Sequence, residues 1–224
     1  MSDAKRLCLV AGAGLGLGEA LLQRFAAGGC IAVGLGPVTR ADSVDVRPVD
    51  LVSSKTVKAV VQELIGQYGP PAVVIHNPSR LFRGAFVETP LDAFEDTWRN
   101  MVLSAAILAQ ATIPAMVRGG GGAFLVSGAT ASLRGGPQFS GFASAKFALR
   151  GLTQSLAREF QTSGIHVAHV VLDGIIDTPA SRTLHDRDPA RMMRPDEIAE
   201  SYWHLAHQPR STWELDLRPV SEAF

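Results

Sequence analysis

The stretch Leu7-Cys8-Leu9-Val10-Ala11-Gly12-Ala13-Gly14-Leu15-Gly16-Leu17-Gly18 decides the fold. Its first five residues form a short apolar run of strand length, and a helical pattern continues from about Gly16 to Ala27. The glycines therefore sit in the turn from a strand into a helix. Glycines at such a turn permit a tight reversal and close backbone approach to a phosphate, while the helix N-terminus adds free N–H groups and the positive end of its dipole. A glycine-rich turn alone identifies nothing; its place between strand and helix gives it meaning.

Outward from this turn, short β-rich runs alternate with helical ones. Ile31 to Leu35 reads as a second strand, followed by Gly36-Pro37 and an extended segment from Val44 to Val49, with no room between them for a full crossover helix. Lys55 to Tyr68 puts Val57, Val60, Val61, Leu64 and Ile65 on one helical face. Ala72 to Ile75, Ala123 to Ser127 and Ile165 to Leu172 read as buried strands, and Thr212 to Leu217 as a seventh. Between them the pattern predicts a long apolar helix from Leu91 to Val117, bent by Pro114, and another from Phe139 to Thr162. Pro179 to Met193 reads as a mobile surface excursion, and Pro195 opens a last helix to about His207. The expectation is one α/β domain over residues 1–224, a mostly parallel sheet with helices on both faces.

Composition narrows the function. Lysine plus arginine and aspartate plus glutamate both number 21, which argues against a polyanionic partner such as nucleic acid. The N-terminal apolar run is too short for a signal-peptide core, and no run reaches the roughly 20 consecutive apolar residues of a spanning helix. Cys8 and Cys30, both read within strands, suggest free thiols in a reducing compartment. A cytoplasmic protein without a membrane partner is expected. No Cys/His cluster has metal-ligand spacing and no Gly-x-Ser-x-Gly appears, so no metal site is expected.

Four motifs in order give the chain a family resemblance. Gly12, Gly16 and Gly18 match the T-G-x-x-x-G-x-G signature of short-chain dehydrogenases/reductases, with Ala11 at the threonine. Ile75-His76-Asn77-Pro78-Ser79 falls on N-N-A-G and keeps its second asparagine. Phe142-Ala143-Ser144-Ala145-Lys146 falls on Y-x-x-x-K, and Asp173-Gly174-Ile175-Ile176-Asp177-Thr178 on P-G-x-x-x-T. The resemblance implies a Rossmann fold with strand order 3-2-1-4-5-6-7, a nicotinamide dinucleotide and a small carbonyl or alcohol substrate. It implies cofactor contacts from Gly12, Gly14, Gly16, Leu17, Gly18, Asp50, Leu51, Asn77, Lys146 and Thr178. Plainer roles stay open: Asn77 and Asp50 as turn caps, Thr178 as the N-cap ahead of Pro179. A homodimer or homotetramer is implied as well, paired through Ala105 to Ala115 and Phe147 to Leu156.

NAD-specific relatives carry an acid at the end of the second strand, where this chain has Gly36. With no carboxylate there and Arg40 nearby, NADP(H) is favoured over NAD(H), although Arg40 also reads as a surface residue. A short crossover thins this wall of the pocket, so weak or absent binding is the alternative.

The catalytic positions depart further. In the family a tyrosine hydroxyl exchanges a proton with the substrate oxygen while the lysine lowers its pKa and holds the nicotinamide ribose. Lys146 is present, but Phe142 has no hydroxyl. The position of the family's serine is Ala129, flanked by Ser127 and Thr130 as candidates to reach the same space. The helix asparagine aligns with Met101, and Asn100 lies one residue early, about 100° around the helix unless it is locally rewound. Tyr202, on a late helix, is a remote candidate for the missing acid, whereas His166 and His169 read as structural. Two functions follow: a divergent NAD(P)-dependent oxidoreductase, or a non-catalytic cofactor-binding or scaffold protein.

Overall fold

The computed structural model describes residues 6–37, 45–208 and 212–219. Arg40, Val44 and most of the short crossover lie outside the described residues. Seven strands form one sheet in the order β3-β2-β1-β4-β5-β6-β7, with β1 Leu7–Ala11, β2 Ile31–Gly36, β3 Asp45–Pro48, β4 Pro71–His76, β5 Gly122–Ser127, β6 Ile165–Leu172 and β7 Glu214–Leu217. Every neighbouring pair is parallel. Cys30 lies one residue ahead of β2, outside the strand expected to contain it.

Alternation along the strands splits the core into two layers. Leu7, Leu9 and Ala11 face one layer with Val57, Val61 and Leu64 of α2 (Ser54–Tyr68), Ile107, Leu108 and Ile113 of α4 (Ser104–Arg118) and Leu149 of α5 (Ser140–Phe160). Cys8 and Val10 face the other, with Leu21, Leu22 and Phe25 of α1 (Leu17–Ala27) and Ile198, Ala199, Tyr202 and Leu205 of α7 (Pro195–His207). Period-2 strands between helices of period 3.6 give this two-sided burial directly.

Local signals set the ends. Ser53 accepts the Thr56 N–H to cap α2, and Gly164, left-handed at φ 84°, stops the short turn after α5. Pro195 opens α7, with Asp196 and Glu197 at its positive end and His204 and His207 at its negative end.

Two expectations are corrected. The segment Leu91 to Val117 is not one α-helix: α3 (Leu91–Trp98) passes through a π-helical turn at Arg99–Leu103 before α4 continues through Pro114 to Arg118. The stretch Leu91–Arg118 is long and apolar enough to cross a membrane by length and composition, yet 61% of its most apolar window is buried in the fold. The excursion after Thr178 is also structured. Thr178 accepts the Ser181 N–H to cap α6 (Pro179–Leu184), Asp188 caps a 3-10 turn at Pro189–Arg191, and Ile176 bridges to Met193. A cap followed by proline at the first helical position nucleates each turn.

Candidate functional site

The C-terminal ends of β4, β5 and β6 open into a cavity of about 570 Å³, walled by Phe139, Phe142 and Lys146 and roofed by Ser181, His185 and Arg187. This is the sheet edge where doubly wound folds bind ligands, and the volume suits a small molecule.

The glycine loop borders this edge. Gly12 and Gly16 have φ of 80° and 99°, which side-chain-bearing residues rarely adopt, and a Cβ on Gly12 would lie 2.7 Å from the Pro78 nitrogen. Gly14 is open, with nothing within 4 Å of a Cβ position. Gly16 caps α1 without any side-chain hydrogen bond, so the N–H groups of Leu17 and Gly18 open the helix with no side-chain acceptor. Leu17 itself turns its side chain into the core. The loop fits a pyrophosphate: open backbone, no Cβ in the way and the positive end of a helix. Thr178 closes over it, its Cγ2 within 2.5 Å of a Cβ position on Gly16.

The other implied cofactor residues divide. Asn77 is held by its N–H donating to the Ala11 carbonyl and its Nδ2 donating to the Gly12 carbonyl at 3.1 Å. Asp50 acts as a turn cap, accepting the Val52 N–H at 3.1 Å, and Leu51 packs against the core. Gly36 has φ 149°, so a carboxylate-bearing residue is disfavoured there by the backbone itself.

Lys146 is buried, and burial lowers its pKa to about 8. Its Nζ donates to the Ser127 carbonyl at 2.9 Å and lies 5.7 Å from the centre of the Phe142 ring, one turn back on α5. The hydroxyl of Ser127 points elsewhere. It donates to Asn77 Oδ1 at 2.9 Å and accepts from the Tyr202 hydroxyl at 2.7 Å. Ala129 opens the turn Thr130–Ser132, its N–H donating to Ser132 Oγ at 3.1 Å. Thr130 faces the cavity and donates its hydroxyl proton to Asp173 Oδ1.

The reading of Tyr202 as a cavity acid is corrected. It is fully buried beneath the sheet and does not line the cavity, and burial pushes its phenol well above the ordinary range. Ile198, Ala199, Tyr202 and Leu205 form one stripe, the spacing from which this burial was legible. Tyr202→Phe would leave Ser127 Oγ short of one donor, so a loss of about 1 to 2 kcal/mol in unfolding free energy is expected. Calorimetric melting checks it, with ligand binding in the cavity unchanged; a binding defect at unchanged stability would put the phenol in the site after all.

The helix is rewound at the position where Asn100 needed it, yet Asn100 does not reach the cavity. Its Nδ2 donates to the Asp96 carbonyl at 2.8 Å, while Met101 is fully buried. The Asn100 carbonyl accepts from Ser104 Oγ at 2.6 Å, which leaves His76 Nε2 to donate to that hydroxyl at 2.8 Å. His76 and His169 are both buried, and burial, then the Lys146 charge, holds each near a pKa of about 3. His169 lies under Gly128, where a Cβ would come within 2.3 Å of its Nε2, and it meets Ser132 Oγ at 3.0 Å. His166 is buried too, bonded to the Thr212 carbonyl.

A family model described as enoyl-(acyl carrier protein) reductase matches residues 32–211. The chain belongs to the short-chain dehydrogenase/reductase family. Among curated members of that family, the 3-oxoacyl-[acyl-carrier-protein] reductase of Salmonella typhimurium is 25% identical, over 86% of this chain and 82% of its own. A short-chain dehydrogenase from Rhodopseudomonas palustris is 30% identical, with a TM-score of 0.79 over 95% of this chain and 99% of its own. An alcohol dehydrogenase from the archaeon Thermococcus sibiricus, solved with 5-hydroxy-NADP, is 21% identical with a TM-score of 0.85 over 98% of each chain, a likeness of fold. Against the pattern of short-chain dehydrogenases/reductases, Asp173 replaces the proline of P-G and stands in the cavity. Arg134, which also lines it, carries no motif signal.

Proposed function

We propose that the protein holds a nicotinamide dinucleotide and acts as a divergent oxidoreductase on a small carbonyl or alcohol, with Thr130, backed by Asp173, in the proton-exchanging position. The observation that carries this reading is the Thr130–Asp173 hydrogen bond inside the cavity, one residue beyond the serine position. Ser127 has its proton on Asn77, and Lys146 is bonded to a carbonyl, so Thr130 is the cavity hydroxyl whose bond leads to a base. A proton leaving the ligand hydroxyl for Thr130 Oγ1 is matched by the Thr130 proton moving to Asp173. When bound, the nicotinamide supplies or accepts the hydride.

Gly12, Gly14, Gly16 and the first turn of α1 would hold the pyrophosphate, Thr178 would close over it, and Lys146 would hold the ribose hydroxyls. Supporting NADP(H) over NAD(H) are the glycine at position 36 and Arg40. The Thermococcus sibiricus neighbour was solved with an NADP derivative. A cytoplasmic homodimer or homotetramer without nucleic-acid or membrane partners belongs to this reading. In α4, Ala105, Ile107, Leu108, Ala109 and Ala115 are buried in the monomer's own core, while Phe147 on α5 is 45% exposed.

A second reading, a cofactor-holding protein without turnover, is favoured by the Phe142 ring standing where the phenol would be. Titration with NADPH and NADH side by side, followed by a substrate screen at the nicotinamide absorbance, separates them. Binding with turnover that Thr130→Val removes is expected; binding without turnover would establish the second reading, and no binding would sink both. Lys146→Met should weaken cofactor binding at least tenfold. Raising the pH through about 8 should weaken binding to the parent, because the buried ammonium loses its proton, and leave the variant flat.

A further inference from the structure

We infer that the cavity takes a small organic acid, its carboxylate received by Arg134 and its body laid against the rings of Phe139 and Phe142; this rests on the reading of the cavity as the substrate side of the site. The charge pattern carries it. Lys146, Arg134 and Arg187 line the cavity, and Asp173 is the one carboxylate among the described lining residues. That carboxylate already has partners: Thr130 donates to Oδ1, and the Arg218 guanidinium lies 3.5 Å from Oδ2. Arg134 stands 3.7 Å from Oδ1, beyond hydrogen-bond length, with a side chain 67% exposed at the cavity rim. No other bond or ion pair engages its guanidinium among the described residues.

A chain balanced between acidic and basic residues overall thus concentrates positive charge at one cleft. A planar guanidinium with free donors recognises a carboxylate through two parallel hydrogen bonds, which a lysine in its place would not reproduce. The apolar rings of Phe139 and Phe142, which line the same cavity, favour an acid with an aromatic or aliphatic body over a bare inorganic anion.

Phenylpyruvate and its neutral methyl ester are suitable probes, titrated by ligand-observed NMR against the full chain with NADPH affinity measured on the same samples. The acid should bind at least tenfold more tightly than the ester, weaken as salt rises, and lose that advantage in both Arg134→Gln and Arg134→Lys. Unchanged melting temperatures confirm that the variants fold. Equal affinity for acid and ester, an unaltered preference in Arg134→Gln, or tighter binding of inorganic phosphate than of the acid would each overturn the inference. NADPH affinity reports on the cofactor reading separately: acid preference without NADPH binding would remove that reading and keep Arg134 as an anion site.

Discussion

Phe142→Tyr combined with Ala129→Ser is expected to raise turnover on the protein's substrates by roughly 10² to 10⁴-fold, the contribution of one positioned acid/base. The supporting geometry is present. Lys146 lies one turn from position 142 with its Nζ 5.7 Å from the ring centre, and both side chains line the cavity. An ammonium beside a phenol favours the phenolate and so lowers its pKa toward working pH. Ala129 lies on the cavity wall in extended backbone, φ −164°, which serine adopts without strain. The single Phe142→Tyr change should recover most of the gain, since the serine only orients the oxygen on which the phenol acts. The measurement is initial rate at the nicotinamide absorbance across a panel of small carbonyls and alcohols, with cofactor affinity as the control. Unchanged rates in a double variant that still binds cofactor would mean that the cavity has lost more than two hydroxyls.

The fold was legible because its determinants are local and repetitive. Alternation in Leu7–Ala11, the glycine turn and the stripe through Val57, Val61 and Leu64 each depend on neighbours within a few residues. The places where reading failed are those where a side chain answers to something distant in sequence. No propensity marks Arg99–Leu103 for a π-helical turn. There Ser104 bonds the Asn100 carbonyl while holding His76, the last residue of β4, 28 positions away in sequence. Likewise α6 was hidden in a polar stretch whose helix-forming signal is one cap and one proline.

The site was legible where a motif fixes the backbone and illegible where a polar atom chooses a partner. Gly12, Gly16, Asn77 and Lys146 stand together because turn geometry and helix spacing place them. Ser127 and Thr130, equivalent candidates in the sequence, differ only in the tertiary structure. Ser127 is joined to Tyr202 and Asn77 across the sheet, while Thr130 meets Asp173 inside the cavity. Asp173 was visible as a departure from a proline, and its consequence was not, because that depends on Thr130, Arg134 and Arg218 converging from separate segments.

The buried histidines make the fold acid-sensitive well above the carboxylate range. His76 and His169 have folded pKa values of about 3 against an ordinary 6.5, because burial disfavours the imidazolium and Lys146 repels it. The sign follows from proton uptake: below 6.5 the unfolded chain binds protons that the folded chain refuses, so the stability present above 6.5 is lost as pH falls toward 3. Each histidine contributes a slope of up to about 1.4 kcal/mol per pH unit, so the pair removes up to about 5 kcal/mol between pH 6.5 and 4.5. A domain of ordinary stability, about 5 to 15 kcal/mol, is brought close to unfolding over that interval. The paired carboxylates Asp177, Asp196 and Glu200 have pKa values held below the ordinary carboxylate range by their arginine partners, so their losses begin at lower pH. Lys146 remains charged in both states across this window and adds no slope. Urea midpoints measured from pH 7.5 to 4.5 should fall steeply for the parent and less steeply for His76→Gln and His169→Gln, whose amides keep a donor toward Ser104 and Ser132. Parallel slopes in all three proteins would show that neither imidazole is kept neutral by the fold.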